Sequence, residues 1–261
     1  MTDIVAERSN GILRVELNRP ERKNALTGAM YTRLAEIFNE AAEDEETLVV
    51  LWHGAGDAFS AGNDVGDFLK NPPGSGDSPQ ARLMDAFVRF EKPIVVAVQG
   101  AAIGGGTTML THCDVVYAGE SAKFQLPFIN LALVPEFGSS SSLPARIGYL
   151  RAAELYLLGE PFGAARAAEL GLVTRVVPDE QLFATAMETA QKLAAKPSGA
   201  LRDSKRLLKQ GFIGHVKAAI KLEMQAFSEH VRSADAKEAL SAFLEKRRPN
   251  FNKTKTSVAA E

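Results

Sequence analysis

Two rhythms of apolar residues run through this chain. Near the start, Leu13, Val15 and Leu17 alternate with Arg14 and Glu16, the pattern of a half-buried strand. Asn10 and Gly11 tolerate positive φ, so residues 3–18 read as a hairpin. Over 27–44 the period lengthens: Met30, Leu34, Ile37 and Phe38 share one face of an amphipathic helix. Three short apolar runs, TLVVLWHG (47–54), KPIVVAVQG (92–100) and CDVVYAG (113–119), read as strands buried on both faces. Between them, QARLMDAFVRFE (80–91) and GGTTMLTHC (105–113) read as helices. Such alternation predicts an α/β fold with parallel strands.

Beyond about residue 150 the pattern is mainly helical: RAAELYLLG (151–159), GAARAAELG (163–171) and DEQLFATAMETAQKLAA (179–195), interrupted by a short strand at LVTRVV (172–177). From 198 to 246 only helices are expected, followed by a polar tail from about Asn252. KNPPGSGDSPQ (70–80) is rich in Pro and Gly and reads as a loop, either a plain surface connection or a segment near a substrate.

Composition narrows the class. The chain has 261 residues, 46% hydrophobic and 24% charged, as expected of a globular protein. Its formal net charge of -2 implies no general attraction to nucleic acid. No apolar run approaches membrane-spanning length, and neither end carries a recognisable targeting signal, so a cytoplasmic protein is expected. The single cysteine, Cys113, excludes an intramolecular disulfide framework. His53, His112, His215 and His230 are scattered and read as structural or exposed, so no metal site is expected.

Two glycine-rich stretches follow strands. VQGAAIGGGTTML places Gly104, Gly105 and Gly106 at the opening of a helix, either as a tight turn or to bring backbone N–H groups close to a ligand. The spacing fits neither a dinucleotide fingerprint nor a P-loop. GDAFSAGNDVGDF suggests a serine nucleophile at Ser60, but Ala58 stands where the nucleophile elbow needs Gly. Asp64 reads as a turn or cap residue. Each stretch offers main-chain N–H groups, and a pair of them would form an oxyanion hole, although spacing alone does not bring them together.

The stretches NRPERKNAL, AFSAGNDVGDF, VQGAAIGGGTTMLTHCDVVYA, LGEPFGAARAAELGLVTRVV and SAFLEKRRPNF, in this order, resemble the crotonase (enoyl-CoA hydratase/isomerase) superfamily over roughly residues 4–251. The resemblance implies a spiral core of ββα units over 1–197 that carries an acyl-CoA site. It also implies a C-terminal helical region over 198–261 that assembles a homotrimer or a dimer of trimers. The substrate would be a coenzyme A thioester, with no further cofactor. By the same resemblance, Asn63 and Gly105 supply the oxyanion N–H groups. Arg22, Lys23, Ala25, Ala61 and Asn63 lie along the CoA, and Asp64, Phe68, Gly104 and Phe128 complete the substrate-binding set. A partner subunit's Phe243 and the partner subunit's Lys246 would hold the CoA end; taken alone, these residues read as a core or interface phenylalanine and a solvated lysine.

Carboxylates distinguish the reactions of this superfamily. A typical hydratase carries two glutamates that hold one water, and the matching positions here are Thr108 and Phe128, neither of which does acid–base work at neutral pH. Glu136 instead stands in the apolar segment NLALVPEFG, at the position resembling the single catalytic glutamate of peroxisomal-type Δ3,Δ2-enoyl-CoA isomerases. It is either an exposed loop residue or a base kept from water, whose proton affinity burial would raise. The resemblance then implies a 1,3-proton shift from 3-enoyl-CoA to 2-trans-enoyl-CoA with Glu136 as the only base. The alternatives are a hydratase or other acyl-CoA reaction, and a non-catalytic acyl-CoA-binding module. Phe124, Phe128 and Phe137 are expected as pocket wall or core, and Ser139 as a helix cap.

Overall fold

The computed structural model describes residues 2–72 and 76–251. The expected polar tail and the middle of the 70–80 loop lie outside the described residues. The hairpin forms as expected: β1 (Ile4–Ser9) and β2 (Ile12–Leu17) are antiparallel, and both turn residues take positive φ, 52° at Asn10 and 77° at Gly11. The long helix α1 (Gly28–Glu43) starts at Thr27, whose side chain accepts the Met30 N–H.

The three apolar runs become the parallel strands β3 (Val49–Gly54), β4 (Ile94–Val98) and, after the short β5 (Ala101–Ile103), β6 (Val115–Gly119). They carry no polar/apolar alternation because both faces are covered. On one face Trp52 meets Phe38, Phe59 and Phe87 in an aromatic core, while the opposite face, with Leu51, Val95 and Ala97, belongs to a separate cluster with Leu182, Ala186 and Ala190.

Three further short strands are β7 (Lys123–Gln125), β8 (Phe162–Gly163) and β9 (Arg175–Val177). The strands form a six-stranded sheet in the order β1-β2-β3-β4-β6-β9 and a three-stranded sheet in the order β5-β7-β8. After β4 the chain turns at Gly100 and runs into β5 in the second sheet; after β6 it turns again into β7. Ser60, beyond β3, bridges Ala102 of β5 in the same way. Each turn thus sends one segment into each sheet, which is the expected spiral of ββα units. The corner depends on Gly100, where a Cβ would lie 1.9 Å from the Asp57 carbonyl oxygen.

Helices fill the remaining spaces. In order they are α2 (Val65–Lys70), α3 (Pro79–Arg89), α4 (Gly105–Thr108), α5 (Ser139–Ile147), α6 (Tyr149–Leu158), α7 (Ala164–Glu169), α8 (Asp179–Ala194), α9 (Ser198–Gln210), α10 (Ile213–His230) and α11 (Ala234–Leu244). Two expectations need correction. The helix expected over 105–113 is α4 followed by a 3-10 turn at Met109–His112. Ser139 does not cap α5: the chain enters that helix through a left-handed Gly138, so the Ser139 hydroxyl points back to the Glu136 carbonyl oxygen at 2.5 Å. No described helix is long and apolar enough to cross a membrane.

Candidate active site

Main-chain hydrogen bonds draw the two glycine-rich stretches together. The Ser60 N–H donates to the Ala101 carbonyl at 2.8 Å, and the Ile103 N–H donates to the Ser60 carbonyl at 2.9 Å. No side chain fits between them. A Cβ on Gly62, at φ 81°, would lie 2.6 Å from the Ile103 oxygen, and one on Gly106 would lie 2.7 Å from the Ser60 oxygen. Ser60 is spent on this junction, its hydroxyl donating to the Asn24 carbonyl and accepting the Gly62 N–H.

The same bonding bypasses two N–H groups. Leu26 donates to the Gly62 carbonyl and Asp64 donates to the Leu26 carbonyl, so the N–H of Asn63 between them stays out of that ladder. At the other stretch, Gly104 donates to Gln125, while Thr107 and Thr108 donate to the Gly104 carbonyl. Gly105, the first residue of α4, therefore opens the helix with an N–H outside these bonds.

Above Gly105 stand an acid and a phenol. A Cβ there would be 3.1 Å from both Glu136 Oε1 and Tyr31 Oη. The Tyr31 hydroxyl donates to Asn63 Oδ1 at 2.8 Å, tying α1 to the other oxyanion residue. Glu136 is 4% exposed, and its Oε1 has no hydrogen-bond partner among the described residues. Burial, followed by the nearby Glu223 carboxylate, pushes its pKa up to about 8. An exposed loop position for Glu136 is thereby excluded.

Tyr31 and Glu223 escaped the sequence reading, although each left a signal. Tyr31 lies beside Met30 and Leu34 on the buried face of α1, where a hydroxyl needs a partner. Glu223 interrupts the stripe Val216, Ile220, Phe227 on α10, so its carboxylate takes an inward-facing register. His112 is buried and held well below its usual pKa, at about 4, mainly by desolvation. The neutral ring donates from Nε2 to the Phe137 carbonyl at 2.6 Å, which orders the turn behind Glu136.

A cleft of about 610 Å³ opens onto this centre. Asn63, Gly104, Gly105 and Phe128 line it, as do Phe68 and Phe227, whose rings meet edge to face. Arg22, Lys23, Ala25, Ala61 and Asp64 also line it. Asp64 caps α2 and pairs with Arg19 at 2.8 Å; burial alone would raise its pKa, but the Arg19 bond and the Asp67 N–H bring it below the ordinary value. Phe243 lines the cleft of its own chain. Arg247 lines it too, and Lys246, in the turn after α11, is not among the residues that line the cleft of its own chain. Glu136 lines an adjoining pocket of about 20 Å³ with Glu223, Gln80 and Met84, and Phe227 forms a wall of both spaces. The two hydratase-type positions are a threonine, Thr108, and a phenylalanine, Phe128, both buried, and neither is an acid. Phe124 and Phe137 lie wholly in the core. Among the described residues there is no group of three or more His, Cys, Asp or Glu side chains able to hold a metal ion.

Comparison with known proteins shows the family. Residues 7–254 match the family model described as enoyl-CoA hydratase/isomerase. The chain is 35% identical over 260 residues to the 1,2-epoxyphenylacetyl-CoA isomerase of Escherichia coli, covering 96% of this chain and 98% of that one. It is 33% identical to the 2,3-dehydroadipyl-CoA hydratase of the same species, with 96% and 99% covered. Among solved structures, an enoyl-CoA hydratase/isomerase from Pseudoalteromonas atlantica superposes with a TM-score of 0.91 at 41% identity, covering 96% of this chain and 100% of that one. Pseudomonas aeruginosa OdaA superposes at 0.90 and 45%, with 94% and 99% covered.

Proposed function

The chain belongs to the enoyl-CoA hydratase/isomerase family, and from that premise we propose that it moves the double bond of a 3-enoyl-CoA into conjugation with the thioester, with Glu136 as the only base. The observation that carries this reading is the buried, unpartnered Glu136 Oε1 poised over Gly105. The thioester carbonyl docks on the N–H groups of Asn63 and Gly105. Glu136 takes a proton from the α-carbon, and the resulting dienolate places its charge on the oxygen that the two N–H groups face. The protonated Glu136 then delivers a proton to the γ-carbon, giving the 2-trans-enoyl-CoA and restoring the carboxylate. A base with a proton affinity near the working pH can both take and return the proton. Arg22 and Lys23 line the cleft and suit the phosphates of the CoA, whereas Arg247 is already paired with Glu238 and Glu245; the proposed proton shift calls for no cofactor beyond the substrate.

One observation favours a second reading, hydration: Glu223 is a second buried carboxylate on the same small pocket as Glu136. Against it, both Glu223 oxygens already accept backbone N–H groups, leaving little capacity to activate a water. Rates with 3-hexenoyl-CoA and with crotonyl-CoA decide between them. Fast conjugation with negligible water addition is expected; the reverse pattern would establish the hydratase. Glu136→Gln should retain acyl-CoA binding and lose most of the turnover, roughly 100-fold or more. Tight binding without proton exchange at the α-carbon in heavy water would instead mark a binding module.

A further inference from the structure

Between Glu136 and α5 the backbone is left-handed at two successive residues, with φ 61° at Phe137 and 66° at Gly138. A bulky aromatic residue rarely adopts this conformation, so other groups must hold it. His112 fixes the Phe137 carbonyl from one side. From the other, Glu223 reaches across from α10, its Oε2 accepting the Gly138 N–H at 2.6 Å and its Oε1 the Ser140 N–H at 2.8 Å. The helix body reinforces the clamp, because a Cβ on Gly138 would lie 2.7 Å from Val216 Cγ1. Glu223 is itself buried, so no solvent competes for these bonds.

We propose that Glu223 is a positioning residue for Glu136: it clamps the left-handed turn from which Glu136 projects and sets a second carboxylate beside it. This rests on the reading of Glu136 as the base. Burial raises the pKa of Glu223 above the ordinary glutamate value, and the N–H bonds from Ser140 and Gly138 pull against that rise by favouring the charged form. Around Glu136, α1 presents Tyr31, α10 presents Glu223 and α6 presents Tyr156, while the neutral His112 stands behind the turn. None of these is a cation, so the charge at residue 223 acts on Glu136 unopposed. Glu223 thereby connects the C-terminal helices to the strength and aim of the base.

The test compares Glu223→Gln and Glu223→Asp with wild type, using 3-hexenoyl-CoA between pH 5 and 9. Gln removes the charge and turns one acceptor into a donor facing an N–H. The pH at which activity rises should fall by roughly one unit, and kcat by roughly 10- to 100-fold, with KM changed less than about threefold. Asp keeps the charge on a shorter arm, so kcat should fall while the pH midpoint stays near that of wild type. A Gln variant with wild-type midpoint and kcat overturns the proposal. If thermal melting shows that the Gln variant does not fold, an Asp variant with wild-type kcat overturns it equally. Glu136→Gln, assayed in parallel, separates the two claims: loss of turnover there with unchanged Glu223 variants refutes only the positioning role, whereas retained turnover refutes the base assignment and the positioning role with it.

Discussion

The carboxyl of Glu136 sits where its charge is costly, and that cost is what makes it useful. Desolvation, then Glu223, lift its pKa from 4.5 to about 8, so the folded protein holds this proton more tightly than the unfolded chain does. The stability it contributes is therefore complete below about pH 4.5 and is lost as pH rises through about 8. Glu136→Gln removes the ionisation and leaves the shape. At pH 9 the variant should be more stable than wild type by on the order of a few kcal/mol, and at pH 5 close to equal. Melting curves at the two pH values check this, and a variant no more stable at pH 9 than at pH 5, relative to wild type, would contradict the burial. The residue itself was legible in the sequence, because a lone acid amid Leu133, Val134, Pro135 and Phe137 is conspicuous. Its partners were less so: Tyr31 and Glu223 each occupy a core register of a helix that looks ordinary when read alone.

At the level of elements, the site depends on backbone meeting backbone. The segment after β3 lies against β5 without intervening side chains, which brings the N–H of Asn63 and the N–H of Gly105 to one cleft. Gly62→Ala should force these elements apart, since its Cβ would strike the Ile103 carbonyl and its φ of 81° disfavours any side chain. A loss of about 2 kcal/mol or more in stability and roughly 100-fold in kcat/KM is expected. Denaturant titration alongside turnover of 3-hexenoyl-CoA tests both parts; retained activity in the variant would show that the junction does not set the oxyanion geometry. The hairpin, α1 and the buried parallel strands were readable because periodicity and the Asn10-Gly11 turn specify them locally. The strands β5, β7 and β8 were not, being too short to show a period and formed only by pairing with one another.

Across the whole molecule, apolar side chains remain uncovered on α6, α9 and α10. Leu150 is 81% exposed and Leu208 80%, and Tyr149, Leu157 and Leu222 are exposed with them. Surfaces of this kind mark protein interfaces, and we propose that they assemble the expected homotrimer or dimer of trimers. Sedimentation velocity should find a trimer or a multiple of it, and Leu150→Glu combined with Leu208→Glu should shift the population towards monomer; a wild-type chain that sediments as a monomer would refute the assembly. The sequence by itself determined the hairpin, α1 and the buried parallel strands, the two glycine-rich stretches, the family resemblance and the acid at 136, because these follow from local periodicity, turn chemistry and short motifs. Only the tertiary structure decided that Tyr31, Asn63, Gly105, Glu136 and Glu223 share one centre. Their proximity comes from the packing of α1 and α10 against the spiral, and the proton affinity of a buried acid depends on neighbours that lie far away along the chain.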